Sequence, residues 1–264
     1  STTGGPWVTE EKAMQRLVWT KVEVAGGNKI ELELEQGVPP IFEGWGSPKT
    51  KATFYKDIAV LAMPVGTITN QKDVIDISAF MQPNGKLSWQ APQGNWIIYR
   101  MGHAPTMANP HPLPDDIIGK SLEVDKMSLE HNEFHWNQVL EPLKKHVGNY
   151  IGKSFKHILI DSYEADMQNW TPTFRQEFKN RKGYDPLAWL LTFDRDKNGL
   201  GPIINSKNET DNFTQDFNEV VDQLFIDNGW KVGKRMVQDA GLTLQFEPYT
   251  GPFSILRGTA VADL

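Results

Sequence analysis

The hydrophobic period of this chain changes near residue 116, and that change limits the fold more than any single motif does. From about residue 28 to 115, apolar side chains recur at every second position in short runs separated by turn residues. Ile30-Glu31-Leu32-Glu33-Leu34 alternates strictly, and Ile58 to Met63 is an apolar run of the buried type. Asn84-Gly85 is a hairpin signal leading into Lys86-Leu87-Ser88-Trp89, and Gln93-Gly94-Asn95 turns the chain into Trp96 to Met101. No helix-period segment interrupts this stretch. It reads as a small all-β, sandwich-like unit.

After the loop at 105–116 the period lengthens. A short strand at 122–125 precedes a helix predicted from Ser128 to about Val147, which Pro142 is expected to kink or divide. Residues 155–161 form a largely apolar strand. Thr171-Pro172 and Asp185-Pro186 carry helix-start chemistry. A long helix is predicted over about 213–240, stopped by Gly241, with a further strand at 242–246. Strands alternating with helices in this way imply βα units around a parallel sheet. The first 27 residues read as a Gly/Pro-rich loop, a short helix with Thr9 as N-cap and Met14 and Leu17 on one face, and a strand at 18–24. Three segments follow from this grammar: 1–27, 28–117 and 118–264.

Composition removes several classes of function. Among 264 residues there is no cysteine, so disulfides, thiolate metal sites and a cysteine nucleophile are excluded. The net charge of −6 and the lack of a basic stripe argue against nucleic acid as a partner. No apolar run approaches the roughly 20 residues of a membrane helix. No Walker A loop, GxGxxG or Gly-x-Ser-x-Gly elbow is present. His131 and His135 stand at i and i+4, but Glu133 is one place late for HExxH, so the pair reads as a partly exposed helix face.

What remains is carboxylate chemistry at strand ends. The strand 155–161 runs into Asp161-Ser162-Tyr163-Glu164, and the strand 242–246 into Glu247-Pro248-Tyr249. In parallel α/β folds, residues just past the C-terminal strand ends line the active face. A pair of carboxyls placed there suits glycoside hydrolysis, one giving a proton to the leaving oxygen and the other activating water or attacking the anomeric carbon. Solvated or salt-bridged acids are the plainer alternative. The segment 161–170 adds groups that contact sugars: Asp161 and Gln168 for hydroxyls, Tyr163 and Trp170 as stacking faces. Asp161, Glu164 and Asp166 are also hard oxygen donors, but they lack the loop spacing of an EF-hand.

At this point the sequence resembles the α-L-rhamnosidases of glycoside hydrolase family 106. The resemblance is carried by Gly4-Gly5-Pro6-Trp7-Val8-Thr9, Tyr55-Lys56-Asp57-Ile58-Ala59-Val60-Leu61-Ala62, Leu122-Glu123-Val124-Asp125-Lys126 and Asp161-Ser162-Tyr163-Glu164. Gln168-Asn169-Trp170-Thr171-Pro172, Arg181-Lys182-Gly183-Tyr184-Asp185-Pro186 and Glu247-Pro248-Tyr249 with Gly251-Pro252 continue it in order.

The resemblance implies part of a (β/α)8 TIM-type barrel with an inserted all-β sandwich-like domain, within a larger multi-domain enzyme. It implies hydrolysis of terminal α-L-rhamnosyl residues with inversion, dependence on Ca2+ through ligands that stay undefined, and a site outside the cytoplasm of a bacterium. Glu164 matches the general acid. Glu247 is the candidate base, unless that residue lies on a later strand, in which case Glu247 would bind substrate or calcium. Asp125, Asp161, Tyr163, Gln168, Trp170 and Tyr249 are the expected substrate-binding residues. For inversion the two carboxyls should stand about 6.5–9.5 Å apart. The expected partners are a rhamnose-containing carbohydrate, such as plant pectin, and the rest of a parent chain. Only four barrel-type strands are countable, at 18–24, 121–125, 155–161 and 242–247, so both ends read as severed and the isolated piece is expected to be inactive. A non-catalytic carbohydrate-binding or structural fragment is the alternative.

Overall fold

Alternation and capping account for most of the elements. The computed structural model describes residues 3–38, 51–110, 117, 119–165, 167–247 and 251–263. After a two-residue strand β1 (Gly4–Gly5), the long strand β2 (Gln15–Ala25) pairs antiparallel with β8 (Asn95–Pro105) along its whole length, Gln15 opposite Pro105 and Ala25 opposite Asn95. β4 (Lys56–Pro64) lies on the other side of β8, with a bulge between Asp57 and Ala59, and β6 (Ile75–Asp76) completes a four-stranded sheet of order β2-β8-β4-β6. β3 (Lys29–Glu33) and β7 (Lys86–Gln90) form a separate antiparallel ribbon.

The apolar run in β4 is buried on both sides because two cores meet there. Val60 and Ala62, with Ile98 of β8, pack with Leu87 and Trp89 of the ribbon. Leu61 and Met63, with Tyr99 and Met101, face the larger core shared with the helices.

One expectation is corrected here. The strand predicted at 18–24 as a barrel strand belongs to this antiparallel sheet, and the predicted helix at its start is a three-residue 3-10 turn, Glu10–Lys12. Met14 and Leu17 are three apart, which mimics helical spacing, but the backbone is extended from Gln15 onward.

The helices follow. β5 (Ile68–Thr69) pairs in parallel with a later short strand, and β9 (Leu122–Glu123) pairs antiparallel with β1. α1 (Leu129–Val147) begins at Ser128, whose hydroxyl accepts the His131 N–H, and it passes through Pro142 without ending. α2 (Phe174–Lys182) closes at Gly183, which holds φ 80° as a left-handed cap. After β11 (Ile203–Ile204), the partner of β5, α3 (Lys207–Leu224) starts at Ser206, three residues before Glu209, in a capping-box spacing. Its Thr210, Phe213, Phe217, Val220, Val221 and Leu224 make the buried stripe. A π-helical segment, Phe225–Trp230, joins α3 directly to α4 (Lys231–Asp239). The single long helix predicted here is therefore two α-helices continuous through a π turn.

Two parallel strands carry the site. β10 (His157–Ile160) and β12 (Thr243–Phe246) pair in register, His157 opposite Thr243 and Ile160 opposite Phe246. Ile160, Leu244 and Phe246 are buried toward the helices, where the Trp230 ring lies 4.3 Å from that of Phe246. Leu159 on the opposite face is exposed. α5 (Ile255–Thr259) follows, opened by a Ser254 cap. The described fold is thus mixed α/β, and among the described residues these parallel strands stand as a pair rather than a closed barrel. No helix among the described residues is long and apolar enough to cross a membrane.

Candidate active site

β10 and β12 end side by side, so the residues that follow them emerge together. The Glu247 amide donates to the Ile160 carbonyl at 3.0 Å, which extends the parallel pairing by one step. Asp161 leaves the end of β10 and Glu247 the end of β12. Their carboxyls share a hydrogen bond, and Glu164 adds its charge to the same patch.

This crowding separates the two neighbours electrically. The Ser162 amide, donating to Asp161 Oδ1 at 2.9 Å, and the hydrogen bond from Glu247 hold Asp161 below the usual carboxylate range. Glu247 is pushed up, first by its hydrogen bond to Asp161, then by desolvation and by the charges of Asp161 and Glu164. The two carboxyls therefore titrate as a pair, with Asp161 the more acidic member and Glu247 the less acidic. Glu247 and Glu164 are both exposed, as a group that meets a substrate from solvent must be.

Tyr163 points the other way. It is buried, edge-on to Phe225 at 5.9 Å and Phe253 at 6.1 Å, with the Lys126 ammonium 5.5 Å from its ring centre. A buried ring between two outward carboxylates makes the loop a wedge: the aromatic anchors it in the core and turns Asp161 and Glu164 to the surface.

Four of the expected sugar contacts, Asp125, Tyr163, Gln168 and Trp170, are buried. Asp125 and Gln168 are 0% exposed, and Trp170 and Tyr163 are each 2% exposed. Asp125 accepts from Thr171 Oγ1 at 2.7 Å, from the Met127 amide at 3.0 Å and from Gln168 Nε2. Gln168 also accepts from the Lys126 amide at 3.1 Å and donates to the Trp170 carbonyl at 3.0 Å. Trp170 is packed 5.0 Å from Phe174. Groups so enclosed brace the segment around Asp161 and Glu164 from within. Among the described expected binding residues, Asp161 alone stays partly open. Tyr249 and Asp166 lie outside the described residues.

The histidine pair also differs from its expectation. His131 and His135 are buried on the inner face of α1. Trp7 Nε1 donates to His135 Nδ1 at 3.2 Å, and burial pushes His135 down to about 4, so it is neutral. Sequence reasoning missed Lys126, which is 1% exposed and paired with Glu123 at 2.5 Å beneath the Glu164 loop. Its only signal was a lysine directly after the short strand expected at 122–125. No group of three or more His, Asp or Glu among the described residues is arranged to hold a metal ion.

Comparison with known proteins bears on the family and the fold. A family model described as alpha-L-rhamnosidase matches residues 1–69 and 47–256. A protein of Formosa agariphila, provisionally named a beta-glucuronidase, is 32% identical over 296 residues, covering 100% of this chain and 24% of its own length. The chain thus spans about a quarter of that relative. The solved structure of a rhamnosidase from Novosphingobium sp. PP1Y superposes with a TM-score of 0.76 at 16% identity, over 100% of this chain and 40% of that one. At that identity the likeness concerns the fold.

Proposed function

From the premise that this chain belongs to glycoside hydrolase family 106, the alpha-L-rhamnosidase family, we propose that it carries the catalytic carboxylates of an inverting α-L-rhamnosidase. The single observation that supports this is the meeting of Glu164, Asp161 and Glu247 at the ends of two parallel strands. Glu164 is the general acid. It gives its proton to the glycosidic oxygen as the bond from that oxygen to the anomeric carbon breaks, and the bonding pair leaves with the oxygen. A water molecule adds to the anomeric carbon from the opposite face and passes its proton to ionised Glu247. Asp161, ionised beside it, raises the proton affinity of Glu247 and so strengthens it as a base. The parallel pair is then part of a (β/α)8 barrel completed by other parts of a longer protein, with the antiparallel region as a sandwich-like insertion.

Calcium belongs to this reading only as an expectation of the family. The described donors, Asp161, Glu164 and Glu247, have the right hard-oxygen chemistry but do not form a three-ligand cage, so no step is routed through the ion. Calcium-dependent thermal stabilisation of the full-length protein, lost in Asp161→Asn, is the expected outcome if Asp161 is a ligand.

The test of the acid is Glu164→Gln in the full-length protein that contains this chain. The expected loss in kcat on phenyl α-L-rhamnoside is about 10²–10⁴-fold. Full retention of activity overturns the assignment. The name of the Formosa relative favours a second reading, a uronic acid at the cleaved position. Hydrolysis of an aryl glucuronide in preference to the rhamnoside would select it.

A further inference from the structure

The loop that carries Glu164 is held from below at both ends by one buried stretch, Glu123 to Met127. That stretch is fixed first by its own backbone. The Met14 amide donates to the Glu123 carbonyl at 2.9 Å, the Val124 amide to Thr3 at 3.0 Å, and the Asp125 amide to Lys12 at 2.8 Å. Asn132 Nδ2, in the first turn of α1, donates to the Asp125 carbonyl at 3.1 Å. These bonds tie the segment to the N-terminal stretch and to α1.

From it, two side chains reach the catalytic loop. The Lys126 ammonium, paired with Glu123, sits under the Tyr163 ring, one residue before Glu164. The Asp125 carboxylate gathers Gln168 Nε2 and Thr171 Oγ1, while the Lys126 amide donates to Gln168 Oε1. The far end of the loop is tied as well, because the Trp170 amide donates to Gln15 at 3.2 Å and Asn169 Oδ1 accepts from the Leu17 amide at 2.8 Å. Glu164 itself is exposed between these two anchor points.

We infer that Asp125 is a positioning residue for the proton donor: it fixes Glu164 by holding Gln168 and Thr171 at the far end of the loop while Lys126 supports Tyr163 at the near end. An ordinary stabilising carboxylate has no need to bridge two groups of one loop while fully buried. The arrangement keeps the loop in one register, and a proton donor displaced by about 1 Å loses about 10²-fold in rate. The inference rests on the reading of Glu164 as general acid.

Leaving-group dependence separates positioning from mere stability. A departing 2,4-dinitrophenolate needs little protonation, whereas phenolate needs a proton from Glu164. In the full-length protein, Asp125→Ala is expected to lower kcat on the phenyl rhamnoside by about 10–100-fold. On the dinitrophenyl rhamnoside the change should stay within about threefold, with KM little altered on either substrate. Asp125→Asn, which keeps the shape and one acceptor, should recover most of the loss. Where Asp125→Ala fails to fold, Thr171→Val removes one donor to the same carboxylate and is read in the same way. Equal losses on both substrates, or no loss on either, overturn the positioning role. If Glu164→Gln itself shows no leaving-group dependence, the reading of Glu164 fails first and the positioning role fails with it. If Glu164→Gln shows the dependence and Asp125→Ala does not, only the positioning role fails.

Discussion

Asp161 and Glu247 are joined by a hydrogen bond, and their titration is therefore a property of the pair. Glu247 has its proton affinity raised by its neighbour, so the base becomes available only above the usual range for a glutamate. On the acidic side, activity should fall as Glu247 takes up its proton. Replacing Asp161 by Asn removes the adjacent negative charge, lets Glu247 ionise at lower pH, and should move the acidic limb of the kcat/KM profile downward. A limb that stays in place or moves upward contradicts the pairing. These carboxylates were legible in sequence because strand ends followed by acids are a local pattern. Asp125 and Gln168 were not. Their polarity reads as sugar-binding chemistry until the fold encloses them, and burial depends on partners as distant as Thr171 and Lys126.

At the scale of elements, the π turn at Phe225–Trp230 earns its irregular geometry through close approach. Gly229 lies against the Lys126 backbone, where an added Cβ would stand 2.8 Å from the Lys126 carbonyl oxygen. Asn228 Nδ2 donates to the Met127 carbonyl at 2.8 Å in the same contact. A backbone atom cannot swing aside, so Gly229→Ala should destabilise by about 1–3 kcal/mol. Urea unfolding checks this as a lower midpoint at unchanged slope. The strands at 86–90, 95–105, 157–160 and 243–246 were foreseeable because alternation and turn residues are encoded within a few positions. The π turn was not, because helical periodicity over 213–240 carries no sign of one extra residue per turn. The partner of strand 15–25 was hidden for a related reason. It pairs with residues some 80 positions away, and alternation says where a strand is but not what it pairs with.

Across the whole molecule, the sheet and the helical region are fastened by Asp194. Its carboxylate accepts the Tyr99 hydroxyl at 2.9 Å, the Trp19 indole at 3.3 Å and the Lys21 ammonium at 2.5 Å, joining β2 and β8 to the segment after Leu187–Phe193. Lys21 is half exposed and contributes little. Asp194→Asn should cost about 1–3 kcal/mol, mostly through the Tyr99 hydroxyl and the Trp19 indole, and a fall in the thermal midpoint measures it. The change of period sets the segment 28–117 apart, yet Leu61, Met63, Tyr99 and Met101 share a core with Phe174, Phe213 and Phe217. Sequence grammar divides the chain where its period changes; side-chain packing does not respect that division. β8 is where this matters most, since strands flank both its edges and a different core covers each of its faces. The amides in the middle of β8 are therefore expected to exchange with solvent only when the described unit unfolds as a whole.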